Sequence, residues 1–157
     1  MMNKNIVSIA VIITICVFFS EARLKLNQCK KKAGSTIQSL EISGCTEYPC
    51  IMKKESNAQI SLRFKLKKRI IGLKLKISGI IHNKEIPFSV DDSNHCEETI
   101  SDVPNNCFLQ KGETYNYSFS LPILAEYPSL ALVSKFELTD MKGNSIVCFT
   151  FPTKIED

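Results

Sequence analysis

The sequence contains no tryptophan and only two histidines, His82 and His95, both set among polar residues. It has no Gly-x-Ser-x-Gly serine, so neither histidine has an evident nucleophile to activate. No Gly-rich phosphate loop and no Cys-x-x-Cys spacing appear, which argues against nucleotide chemistry and against a zinc site. The carboxylate pairs Asp91-Asp92 and Glu97-Glu98 fall in loop-like sequence without the ligand spacing of a calcium loop. These absences predict a protein that is not an enzyme and that holds neither a metal nor a cofactor. Long apolar runs are also missing. The longest uncharged one, Ile6 to Phe19, has 14 residues, short of the roughly 20 that a bilayer requires. Lys4 precedes it, and Ser20-Glu21-Ala22 follows with small residues at the two positions a signal peptidase reads. Residues 1–22 are therefore expected to be a secretory signal peptide cleaved after Ala22, leaving a secreted domain over 23–157.

What remains after cleavage carries six cysteines: Cys29, Cys45, Cys50, Cys96, Cys107 and Cys148. An even number in a small secreted chain reads as three disulfides, although composition leaves the pairing open. Cys45 and Cys50 flank a turn ending in Pro49, and Cys96 and Cys107 flank a polar loop, so local pairs suit the spacing. Cys29 and Cys148 would then join the two ends of the domain.

No segment sustains helical periodicity, and none repeats. Period-two alternation dominates instead. Ile60, Leu62, Phe64 and Leu66 alternate with polar residues, as do Ile71, Leu73, Leu75 and Ile77, and Lys67 to Ile70 reads as a charged hairpin loop between them. Tyr115, Tyr117, Phe119 and Leu121 alternate with Asn116, Ser118 and Ser120. Shorter strand signals occur at Leu24 and Leu26, at Leu40 and Ile42, and around Ile86-Pro87-Phe88. Two more, Leu130 to Leu138 and Ile146 to Phe151, flank the turn Asp140-Met141-Lys142-Gly143-Asn144. The stretch from Asp91 to Asn106 is polar and reads as a loop, and Lys30 to Gly34 as a turn. Seven or eight short strands predict an all-β, immunoglobulin-like sandwich of two antiparallel sheets.

The formal net charge is +4, and it survives cleavage because Lys4 and Glu21 leave together. Lys65, Lys67, Lys68, Arg69, Lys74 and Lys76 form a local basic stretch. No aromatic residue is interleaved with those charges, which speaks against nucleic acid; a transient contact with an anionic membrane or an acidic receptor fits better. Asn116-Tyr117-Ser118 is an N-glycosylation sequon, and the strand alternation places Asn116 on the polar face.

The ordered set of Gly44-Cys45, Pro49-Cys50, Ile86-Pro87-Phe88, Lys111-Gly112, Tyr115-Asn116-Tyr117, Leu121-Pro122, Glu126-Tyr127-Pro128, Glu137-Leu138-Thr139-Asp140 and Cys148-Phe149 resembles the ML lipid-recognition family. Its nearest branch is that of the Niemann-Pick type C-two carriers and their secreted insect relatives. The resemblance covers Cys29 to Ile155. It implies a sandwich whose sheets splay around an apolar cavity, and disulfides pairing Cys29 with Cys148, Cys45 with Cys50, and Cys96 with Cys107. It further implies carriage of a sterol, fatty acid or other long-chain lipid without chemical change, by a monomer that is secreted or lysosomal. Recognition of microbial, phosphorylated lipid is the alternative the family offers. By motif position, Phe88, Ile123 and Tyr127 would touch ligand at the mouth, and Tyr127 would meet its polar head. Phe136 and Phe149 stand where relatives often carry tryptophan, with Tyr115, Tyr117 and Phe119 on the strand beside them; Phe64, on the Ile60–Leu66 strand, is a further expected ligand contact. The chain departs from the pattern at Lys30 and Phe108, where glycine and proline are usual, and in a longer Cys96–Cys107 loop.

Overall fold

The computed structural model describes residues 27–30, 33–88, 96 and 107–157. The expected signal peptide, the strand at Leu24 and Leu26, part of the Lys30–Gly34 turn, and most of the Asp91–Asn106 loop with His95 lie outside the described residues. Eleven strands follow one another along the rest: β1 (Asn27–Gln28), β2 (Ser35–Ile42), β3 (Cys50–Lys53), β4 (Ser56–Leu66), β5 (Ile70–Ile71), β6 (Lys74–Ile81), β7 (Lys84–Pro87), β8 (Phe108–Leu109), β9 (Thr114–Ile123), β10 (Ala131–Thr139) and β11 (Ser145–Glu156). One sheet runs β1-β11-β10-β6-β7 with β3 also beside β11, a second runs β2-β4-β9, and β5 and β8 form a small ribbon.

The alternation of the sequence sets which side chains face inward. Along β4, Ala58, Ile60, Leu62, Phe64 and Leu66 are buried, while Ser61, Arg63 and Lys65 face out. Along β9, Tyr117 and Ile123 are buried and Asn116, Ser118 and Ser120 exposed, as the pattern predicts. The core forms where the two inner faces meet. Phe136 of β10 sits at its centre, stacked on Phe149 at 5.0 Å between centroids and met edge-on by Tyr117 at 6.0 Å.

The structure corrects two expectations. β4 and β6 are not a hairpin; they belong to different sheets, and the charged stretch between them crosses from one layer to the other. Ile70 and Ile71 pair with Leu109 and Phe108 instead. Gly72 then adopts a left-handed conformation (φ 66°), which breaks the alternation. Ile71 is consequently 49% exposed, whereas Leu73 is completely buried. The second correction concerns strand direction. β3 runs parallel to β11, because the Cys45–Cys50 turn carries the chain from the end of β2 to the edge of the larger sheet. The other pairings are antiparallel.

The three disulfides join Cys29 to Cys148, Cys45 to Cys50, and Cys96 to Cys107. Hydrogen bonds also stitch β2 to β11 across the layers: Ser35 Oγ donates to the Ile146 carbonyl at 2.7 Å, and the Gly34 amide to the Ser145 carbonyl at 2.9 Å. At the opposite ends of the strand orders lie β7 in one sheet and β9 in the other.

Asp140 closes the β10–β11 turn from within. Its carboxylate accepts from the Lys142 and Asn144 amides at 3.0 and 2.8 Å, from Asn144 Nδ2 at 2.9 Å, and from Lys68 Nζ at 3.2 Å. Burial raises its pKa, but the Asn144 and Lys68 contacts outweigh that and hold it below the ordinary 3.8. A depressed pKa gives stability that is present above the unfolded-state value and lost as pH falls through the folded one. Asp140→Ala is therefore expected to cost about 1–3 kcal/mol in urea unfolding at neutral pH, with the gap to wild type narrowing below about pH 4. An equal gap at pH 7 and pH 3 would show that the carboxylate charge is not what holds the turn.

Candidate ligand-binding site

Between the sheets lies an apolar cavity of about 30 Å³. The smaller sheet contributes Ala58 and Ile60 from β4 and Leu121 and Ile123 from β9. The larger sheet contributes Ile77, Leu132, Phe136, Phe151 and Ile155, and Met52 of β3 closes one side. That volume is roughly one water's share of liquid. A hydrocarbon guest must therefore displace side chains as it enters. Leucine, isoleucine and methionine walls can yield by rotamer change, methionine most readily.

Phe88 and Tyr127 close the cavity on the side of β7 and β9. Phe88 follows β7 directly, its amide donating to the Ile77 carbonyl at 2.9 Å. Tyr127 lies in the loop after β9, where its amide donates to the Leu124 carbonyl at 3.2 Å. Their rings are 5.4 Å apart and tilted by 45°. Both rings are half-buried. Beneath them, Gly79 of β6 makes room: a Cβ there would come within 2.8 Å of Leu132 Cδ1 and 3.5 Å of the Phe88 ring.

Of the nine ligand-contact residues expected from the sequence, Phe88, Ile123, Tyr127 and Phe136 line this cavity. Phe149 and Tyr117 stand behind Phe136 and reach the space through it. Phe64 is fully buried beside Tyr115, at 6.2 Å, away from the cavity wall. Phe119 packs against the core without lining the space. The sequence reading missed Met52, Leu132 and Phe151, along with two polar residues, Ser134 of β10 and Thr153 of β11. Strand parity could have found Thr153, which lies four residues after Phe149 and so shares its face. The strand expected from the sequence stops at Phe151, two residues short of it. Thr153 is 3% exposed and donates to Ser134 Oγ at 2.8 Å.

Outside the cavity, Lys135 Nζ is held by both Glu85 oxygens, at 2.8 and 2.9 Å, and Ser78 Oγ donates to the same carboxylate at 2.7 Å. The basic stretch does not form one surface. Lys65 projects from the outer face of the smaller sheet, Lys76 from that of the larger one, and Lys68 is engaged by Asp140. None of these lysines lines the cavity. His82 occupies the exposed β6–β7 turn. Among the described residues, no cluster of His, Cys, Asp or Glu could hold a metal ion.

Fold and site together define a disulfide-bonded, immunoglobulin-like β-sandwich with an apolar cavity enclosed between its sheets. The family profile of the ML domain matches residues 23–155. The chain belongs to the ML-domain family. The NPC intracellular cholesterol transporter 2 homolog a of Drosophila melanogaster is 31% identical over 135 residues, spanning 85% of this chain and 88% of its own. The bovine (Bos taurus) NPC intracellular cholesterol transporter 2 is 29% identical over 133 residues, 85% of each chain. An ecdysteroid-regulated 16 kDa protein of Manduca sexta is 29% identical over 146 residues, 91% of this chain and 97% of its own. The crystal structure of a Niemann-Pick type C2 protein from the Japanese carpenter ant superposes with a TM-score of 0.74 at 24% identity, over 83% of this chain and 98% of that one.

Proposed function

We propose that the protein is a secreted carrier that takes up a sterol, a fatty acid or a similar lipid between its two sheets and releases it unchanged. The observation that carries this reading is the cavity itself, walled mainly by Ile, Leu, Phe and Met and flanked by the paired rings of Phe88 and Tyr127. The family and the names of its relatives support it.

Removing hydrocarbon from water is the driving force. Burying on the order of 600 Å² of a lipid gains roughly 15 kcal/mol at about 25 cal/mol per Å². Association costs several kcal/mol of that, and so does opening the closed cavity, which leaves affinity around micromolar. That strength suits a carrier, which must also let go. Nothing in the cavity wall pairs a nucleophile with a base, so the reading includes no chemical step. The scattered placement of the basic stretch favours a neutral or singly charged lipid over a multiply phosphorylated one. Export through the signal peptide, a glycan on exposed Asn116 and a monomeric state belong to the same reading.

Displacement of a fluorescent apolar probe by fatty acids and by cholesterol tests it directly. Saturable displacement at micromolar lipid is expected, and Gly79→Ala is expected to weaken it only modestly, by pushing the Leu132 side chain aside. A protein that takes up neither probe nor lipid would refute carriage.

A further inference from the structure

Ser134 and Thr153 are out of place in a wall built to hold hydrocarbon. The inward neighbours along their own strands are Leu132, Phe136, Phe151 and Ile155. Alanine and valine would fill the same space without a polar atom. The other polar members of the lining are accounted for elsewhere: Tyr127 stands at the mouth, and the Lys135 ammonium is drawn to Glu85.

Each hydroxyl carries one hydrogen and two acceptor lone pairs. Thr153 gives its hydrogen to Ser134 Oγ at 2.8 Å, its 3.4 Å contact with the Phe151 carbonyl being long for an O–H donor. The Ser134 hydrogen and lone pairs on both oxygens are then left to serve a guest. We propose that the Ser134–Thr153 pair is a polar subsite within the cavity, selecting lipids that bear a hydroxyl or oxo group on the portion enclosed between the sheets. The proposal rests on the carrier reading above and narrows it.

An unfunctionalised chain leaves the two hydroxyls bonded to each other and so is tolerated. A guest hydroxyl or carbonyl lying against them gains bonds in a water-poor setting and escapes the penalty of being buried unpaired. Such a site discriminates between matched lipids far better than an apolar wall can.

The test uses the secreted protein and two matched sets of lipids in probe displacement: stearic acid with its isomers hydroxylated at successive chain positions, and cholesterol with its side-chain-hydroxylated counterparts. In wild type, at least one hydroxylated member should bind about tenfold tighter than its parent. The double variant Ser134→Ala, Thr153→Val should erase that advantage, bringing hydroxylated and parent lipids within about twofold of each other, and Thr153→Ser should retain it. Removing both partners strands neither, so the melting temperature of the double variant serves as the check on folding. Equal affinity across both sets, or an advantage that survives in the double variant, would overturn the subsite while leaving carriage intact. Failure of every parent and hydroxylated lipid to displace the probe would overturn carriage and the subsite together.

Discussion

Phe136→Ala is expected to destabilise the protein by about 3–5 kcal/mol, among the largest effects available to one substitution here. Three roles converge on this ring. It stacks on Phe149, receives the edge of Tyr117 and forms part of the cavity wall. At 1% exposure it has no route to solvent that could soften its loss. The void left behind would be continuous with the existing cavity, which separates this site from an ordinary core position. A lipid that fills both spaces should return part of the lost stability, by about 2.7 kcal/mol at a hundredfold excess over its dissociation constant. Urea unfolding with and without cholesterol measures both quantities. A large destabilisation that no lipid relieves would mean that the ring belongs to the core alone and that ligand does not reach it.

The second large effect concerns the covalent link between the ends of the domain. Cys29 and Cys148 are separated by 119 residues, against 5 for Cys45 and Cys50. In the chain-entropy treatment, closing the longer loop restricts the unfolded chain by about 5 kcal/mol and closing the shorter one by about 2 kcal/mol. Replacing Cys29 and Cys148 together by serine should therefore lower stability more than the same change at Cys45 and Cys50, measured by thermal unfolding of both variants. The reverse order would place the dominant contribution in the native geometry of the Cys45–Cys50 turn.

Much of this architecture was legible in the residue pattern, and the reasons differ by element. β4 and β9 were readable because each buries one face and wets the other, so polarity alternates at every residue. The Asp140–Asn144 turn was readable because aspartate, glycine and asparagine serve tight turns through side-chain hydrogen bonds and left-handed backbone. Partner choice was not readable. Ile60–Leu66 and Ile71–Ile77 look alike whether they pair with each other or cross between layers, and only Gly72 hints at the break. The direction of β3 was hidden for the same reason, since four residues carry no signature of parallel pairing. For the site, four of the nine residues named from sequence line the cavity, and Phe64 does not. Phe64, with its ring sealed by β4 and β9, is indistinguishable in sequence from Phe136 at the cavity. Ser134 and Thr153 were missed because neither is aromatic and the last expected strand stops at Phe151.

Among the described residues, β9 ends the smaller sheet. A second copy adding to that end would wall off the approach past Tyr127. Pro122 interrupts the strand just before Ile123 and withholds a donor close to that approach. A sugar on Asn116 would obstruct the same strand nearer its other end. Pro122, and a glycan if Asn116 carries one, would discourage such an addition and keep the approach open.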